Sequence, residues 1–183
     1  GQCDPANIAM ALAKGARMKG AKIFEGVTVT KVVTSGGRVT GVDYDGPEGP
    51  GHIDADVIVN CGGMWGRDLA AQNGVTLPLH ACEHFYLITE PVAGIDLNLP
   101  VLRVPDECAY YKQDAGKMML GAFEPVAKPW GMAGIRKDFE FDTLPEDWDH
   151  FMPILEMATN RMPLFQTAGI HTFFNGPESF TPD

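Results

Sequence analysis

Apolar and polar residues alternate through three stretches, 79–90, 108–113 and 118–123, and the last two are joined by Asp114-Ala115-Gly116. A period of two sends successive side chains to opposite faces of a strand. The pattern predicts an antiparallel sheet with one face covered. Within it, His84 lies in Glu83-His84-Phe85-Tyr86, and Tyr110-Tyr111 offers one ring to each face, one for the core and one for the surface.

The residues before this sheet have a different character. Asp4-Pro5 is a helix start, with an acceptor side chain at the cap and proline at the first helical position. Ile8, Ala11, Leu12, Ala16 and Met18 follow at near-helical spacing, and Gly20 can end an amphipathic helix of about four turns. Residues 27–33 and 39–44 flank Ser35-Gly36-Gly37, which is a hairpin signature. Residues 45–51 hold Gly46, Pro47, Gly49, Pro50 and Gly51 and read as an exposed loop. Residues 53–60, with Val57-Ile58-Val59, fit a strand covered on both faces. That strand meets Cys61-Gly62-Gly63, and Trp65, Leu69 and Ala70 make a short helix stopped by Asn73-Gly74. Strand, glycine turn and helix can bring backbone N–H groups to a phosphate, or can simply allow tight packing. Residues 138–149 carry six acids and no base, a solvated loop leading into a helix over 147–160 with Phe151, Ile154, Leu155 and Ala158 as its stripe.

Composition narrows the function classes. The 183 residues are 45% apolar and 21% charged, which is ordinary for a globular protein. Fourteen basic against 24 acidic residues give a formal charge of −10, the wrong sign for nucleic acid or an anionic membrane surface. Cys3, Cys61, Cys82 and Cys108 form no C-x-x-C pair, so reduced intracellular thiols are expected. No stretch approaches a membrane span. His52 and His80 flank loops without a carboxylate or cysteine at ligand spacing, so no metal site is expected. Trp130, between Pro129 and Gly131, reads as a loop anchor, and a lone strand histidine such as His84 is ordinarily satisfied or solvated.

Several runs carry a resemblance that covers almost the whole chain. Asp4-Pro5-Ala6-Asn7, Gly15-Ala16-Arg17, Gly20-Ala21 and residues 55–65, from Ala55 to Trp65, resemble the central part of FAD-dependent amine oxidoreductases of the D-amino-acid oxidase superfamily. Residues 83–91 and 144–148, Gly121-Ala122-Phe123-Glu124-Pro125, and above all Asn175-Gly176-Pro177-Glu178-Ser179-Phe180-Thr181-Pro182-Asp183 resemble the dimethylglycine and sarcosine dehydrogenase subgroup. Set beside that family, the chain lacks the N-terminal G-x-G-x-x-G turn, the early flavin-linking histidine, the last flavin segment and the folate-binding domains. The resemblance therefore implies an internal fragment, expected to carry no bound FAD and no amine dehydrogenase activity by itself.

The resemblance further implies an α+β fold: a mainly antiparallel substrate-domain sheet with helices, plus part of an FAD-binding α/β domain. Residues 1–76 would belong to the flavin domain with its hairpin, 77–172 to the substrate domain, and 173–183 to a segment returning towards flavin. The strand at Val29 would lie beside the adenosine end of FAD, and Cys61, Gly62, Gly63, Met64 and Trp65 would line its ADP half. Val57 to Asn60 would have lost its parallel strand neighbours. The implied reaction is oxidation of an N-methyl amine by hydride transfer to the flavin, giving an iminium that is hydrolysed or captured as methylene-tetrahydrofolate. His84 and Tyr110 align with substrate-facing positions and should share one face of the sheet, while Arg103 could anchor the substrate carboxylate or stabilise a loop. Electron-transfer flavoprotein or O₂ would be the acceptor, in the cytoplasm or, in a eukaryote, the mitochondrial matrix. The alternatives are an O₂-using amine oxidase and a non-catalytic regulatory homologue.

Overall fold

The computed structural model describes residues 3–136 and 138–182. The terminal Asp183 of the last resembling run lies outside them. The chain divides into two compact units, Gly1–Leu77 and Pro78–Asp183.

In the first unit, α1 (Pro5–Met18) begins where Asp4 accepts the Asn7 N–H at 2.7 Å. Its apolar positions Ile8 and Leu12 stay exposed. Strands β1 (Thr28–Ser35) and β2 (Arg38–Gly46) form the expected hairpin around Gly36 and Gly37, whose φ of 57° and 76° suit a tight turn closed to most other residues. Residues 45–51 are not a loop throughout. They turn tightly at Pro47-Glu48 into β3 (Gly49–Asp54), with Asp45 paired to Pro50. β3 is an edge, and proline is tolerated on an edge because its missing N–H faces no partner. The strand expected over 53–60 therefore ends at Asp54; Val57 and Val59 are 77% and 78% exposed and belong to no strand. A 3₁₀ turn over Gly63–Trp65 then leads into α2 (Gly66–Ala71).

The second unit is a five-stranded antiparallel sheet with one helix across it, and the whole is α+β. Its strands are β4 (His80–Thr89), β5 (Leu102–Val104), β6 (Ala109–Asp114), β7 (Lys117–Ala122) and β8 (Ile170–Phe180), in the order β5-β6-β7-β4-β8. Residues 173–180, expected as a segment returning towards flavin, are part of β8, which pairs along nearly the whole of β4. Asn175-Gly176-Pro177 looks like a turn in sequence, yet β8 is an edge strand, where Pro177 removes no necessary hydrogen bond.

The alternation of β4 decides the layers. Phe85 and Leu87 point to one face, where Leu120, Tyr111 and Phe173 join them and α3 (Trp148–Arg161) brings Phe151, Ile154 and Ala158. Phe85 stacks on Phe173 at 5.7 Å, and Trp148 also stacks on Phe173, with ring centroids 4.0 Å apart. Asp147 caps α3 by accepting the His150 N–H. Asn175, fully buried on this face, donates from its side-chain amide to Glu83 and to the Pro145 carbonyl while its main-chain carbonyl accepts the Leu144 N–H, which pins the approach to α3 onto β8. Trp130 is a loop anchor, its N–H donating to Ala81 and its ring lying against Phe139.

Phe85 is wholly buried, so Phe85→Ala should cost about 3–5 kcal/mol through lost transfer energy and a residual cavity. Denaturant unfolding followed by the near-ultraviolet signal of the packed aromatics measures it. A second expectation concerns β2 and β3. The Asp43 carboxylate, 2.6 Å from the His52 ring, raises the His52 pKa above its usual 6.5, desolvation opposes it, and Asp54 adds to the rise. A raised folded value means that this support is complete below the unfolded pKa of about 6.5 and is lost as pH rises from there through the raised folded pKa. Amide protection in β3, corrected for intrinsic exchange, should fall over that window, and His52→Ala should flatten the dependence.

Candidate functional site

The sheet face opposite α3 collects the chemistry. Register places Arg103 beside Tyr110, Tyr110 beside Gly121, and Gly121 beside Tyr86, so all four share one face. His84 lies two residues before Tyr86 and therefore points the same way. Tyr111 faces the core and is 2% exposed, so the two adjacent tyrosines divide as expected.

Phe123 is the hub of this face. Its ring lies 5.3 Å from His84 and 5.8 Å from Tyr110, and the Arg103 guanidinium carbon stands 4.0 Å above it. That stacking fixes the direction of a flexible cation. Arg103 has no ion-pair partner among the described residues, which leaves its donors available to an anion. Phe180 meets the His84 ring edge-on at 5.9 Å, and Tyr86 stacks on Phe174 at 4.6 Å.

Gly121 explains how Tyr110 lies flat across the sheet. A Cβ at position 121 would fall inside the Tyr110 ring. Burial pushes the Tyr110 phenol up, the neighbouring Tyr86 and Glu124 push the same way, and Arg103 partly opposes them. The phenol is thus neutral near pH 7 and able to donate.

Glu124, in the Gly121–Pro125 run, has no role legible in the sequence. Its side chain is 3% exposed, one oxygen accepts the Phe85 N–H at 3.0 Å, and the other lies 3.0 Å from His84 Nδ1. Forty residues separate it from His84, so only the pairing of β4 with β7 brings them together. Cys82, also on this face, is buried and its thiol is pushed up by that burial and by Glu124.

The residues expected at a cofactor lie in the first unit. Val29 is on β1 and 40% exposed. Cys61, Gly62 and Gly63 are exposed, Met64 is half-buried and Trp65 is 43% exposed. Asn60 ties this turn, accepting the Gly62 N–H at 3.1 Å and donating to the Gly66 carbonyl at 2.8 Å. A Cβ on Gly62 would press within 3.1 Å of Asn60 Oδ1 and 3.3 Å of the Gly66 backbone, and Gly63 has φ of 53°. A turn bare of side chains at two successive positions fits the close approach of a nucleotide to the backbone.

Among the described residues there is no group of three or more His, Cys, Asp and Glu side chains able to hold a metal ion, and no helix is long and apolar enough to cross a membrane. All four cysteines are free. His52, read from sequence as lacking a carboxylate neighbour, has two, because β2 and β3 pair Asp43 with it and Asp54 follows two residues later on the same face.

Residues 1–183 match the FAD dependent oxidoreductase (DAO) family, and the chain belongs to it. It is 41% identical over 183 residues to 4-methylaminobutanoate oxidase (formaldehyde-forming) of Paenarthrobacter nicotinovorans, covering 100% of this chain and 22% of that protein. Identity is 39% over 181 residues to the mitochondrial pyruvate dehydrogenase phosphatase regulatory subunit of Mus musculus, covering 97% of this chain and 20% of that protein. It is 35% over 188 residues to mitochondrial sarcosine dehydrogenase of Homo sapiens, covering 100% and 20%. The chain thus spans about a fifth of the length of these relatives. L-proline dehydrogenase from P. horikoshii shares the fold with a TM-score of 0.74 and 21% identity over 99% of this chain and 45% of that one.

Gly121→Ala should displace Tyr110 and cost about 1–3 kcal/mol through overpacking. In Gly121→Ala/Tyr110→Ala the ring is gone, so the double variant should lose clearly less than the sum of the single losses. Denaturant titration of the four proteins reads the coupling.

Proposed function

We propose that this chain is the substrate-binding part, with an adjoining flavin-binding segment, of an enzyme that oxidises N-methylated amino acids. The observation that carries the reading is the convergence of a basic side chain, a neutral phenol and an unpaired guanidinium around Phe123: His84, Tyr110 and Arg103. A methylated amino acid offers an amine that must lose its proton and a carboxylate that needs a cation. Arg103 would receive the carboxylate by charge-assisted hydrogen bonds. Tyr110 would orient the amine by donating or accepting through its hydroxyl. His84 would take the ammonium proton, leaving the nitrogen lone pair free to assist departure of the hydride. The rings of Phe123, Phe174 and Phe180 would keep water from the reacting carbon.

FAD, when bound, supplies the two-electron acceptor. Val29, Cys61, Gly62, Gly63, Met64 and Trp65 would hold its ADP half through backbone approach. The names of two relatives, 4-methylaminobutanoate oxidase and sarcosine dehydrogenase, support an N-methyl amine as substrate. The identity to a phosphatase regulatory subunit supports a competing reading, a homologue without turnover. The assembled face weighs for the enzyme, since a regulatory role requires no free base beside an unpaired arginine.

The reading is tested in the flavin-loaded holoenzyme with sarcosine, dimethylglycine and 4-methylaminobutanoate as trial substrates. His84→Gln should lower turnover by about 10²–10⁴-fold, the usual contribution of a positioned general base, while the flavin absorbance per protein is unchanged. Arg103→Ala should act chiefly on KM. Unchanged turnover in both variants would overturn the roles given to His84 and Arg103, whereas a native holoenzyme that oxidises none of the three amines would favour the regulatory homologue.

A further inference from the structure

We infer that Glu124 is a positioning residue that holds the His84 imidazole in the tautomer with its proton on Nδ1, leaving the Nε2 lone pair as the proton acceptor. The inference rests on the functional reading above for its catalytic consequence, but its structural content stands on separate observations.

The first is a gap in the β4 ladder. β7 pairs with β4 only at residues 86–88 of β4, and pairing resumes further back, where Glu83 donates to the Lys128 carbonyl and Trp130 donates to Ala81. Between these points residues 123–127 are not paired with β4, and the Phe85 N–H would lack an acceptor. Glu124 supplies it. One carboxylate oxygen takes the Phe85 N–H at 3.0 Å, so the carboxyl group is anchored to backbone that cannot move without breaking the sheet.

The second observation is what the other oxygen does. It stands 3.0 Å from His84 Nδ1, and a carboxylate in contact with an imidazole nitrogen accepts a proton there rather than giving one. Nδ1 is then the N–H. Nε2 has no hydrogen-bond partner among the described residues, while the ring is 16% exposed and gripped by Phe123 and Phe180. When a substrate ammonium arrives, its N–H bond breaks with the electron pair staying on nitrogen, and the proton joins the Nε2 lone pair. The resulting imidazolium charge lies beside the Glu124 carboxylate.

Because Phe85 N–H can only donate, Glu124→Gln has one favourable orientation. The amide oxygen must keep the Phe85 bond, which turns the amide NH₂ towards His84 Nδ1. A donor at that point drives the imidazole proton to Nε2 and presents an N–H where a lone pair was needed. The isosteric replacement retains the backbone anchor, so the fold is retained while the tautomer reverses.

The test is ¹⁵N–¹H correlation of the histidine rings of this chain, with His84 in its neutral form and assigned by its absence in His84→Gln. The native chain should show a pyrrole-type Nδ1 and a pyridine-type Nε2, and Glu124→Gln should exchange them. A pyridine-type Nδ1 in the native chain overturns the inference even if the variant fails to fold, and so does a folded Glu124→Gln with an unchanged pattern. In the holoenzyme, Glu124→Gln should lower kcat about 100-fold with little change in KM or flavin content. A reversed tautomer with unchanged kcat would uphold the role of Glu124 and overturn the reading of His84 as the base.

Discussion

The pleat of β4 is the constraint on which the second unit depends. Its apolar side, Phe85 and Leu87, is fixed against α3 by the aromatic cluster around Phe173 and Phe151. With a side-chain period of two, fixing one side fixes the other, so His84 and Tyr86 are committed to the opposite face. A slip of one residue would bury His84 in the core and expel Phe85, which makes the register as costly to change as the core itself. The site therefore borrows its rigidity from packing that it does not touch.

The remaining members of that face reach it through close approach and through repair of the ladder. Gly121 and Gly176 leave room for the flat-lying rings of Tyr110 and Phe174, so aromatic surface lies across the sheet instead of standing out from it. Glu124 replaces a missing strand acceptor at Phe85, and the same carboxyl group meets His84. One buried acid thus closes a structural gap and touches the imidazole. The first unit is held differently, by a capped helix, a three-stranded sheet and the Asn60 knot, with Val57 and Val59 left exposed.

Much of this was determined by sequence alone. Asp4 and Asp147 mark helix starts because a short acceptor side chain meets free N–H groups one turn later, and Gly36-Gly37 and Ala115-Gly116 mark hairpins because the turn needs positive φ. The alternation of 79–90 and 118–123 gave strands with one covered face, and the resembling runs brought the chain to its family. These features are local, so residue order contains them. Tertiary structure decided what depends on strand order and register. β8 was hidden by Asn175-Gly176-Pro177, whose turn chemistry is overridden by pairing with β4 at a sheet edge. Likewise, Val57-Ile58-Val59 had the composition of a buried strand and found no strand partner in the described chain. The partnership of His84 with Glu124, of His52 with Asp43, and the gathering of Arg103, Tyr110 and His84 around Phe123 join residues far apart or on opposite strands. No local spacing encodes them, because a hydrogen bond or ring contact between distant residues exists only once the backbone has brought them within a few ångströms.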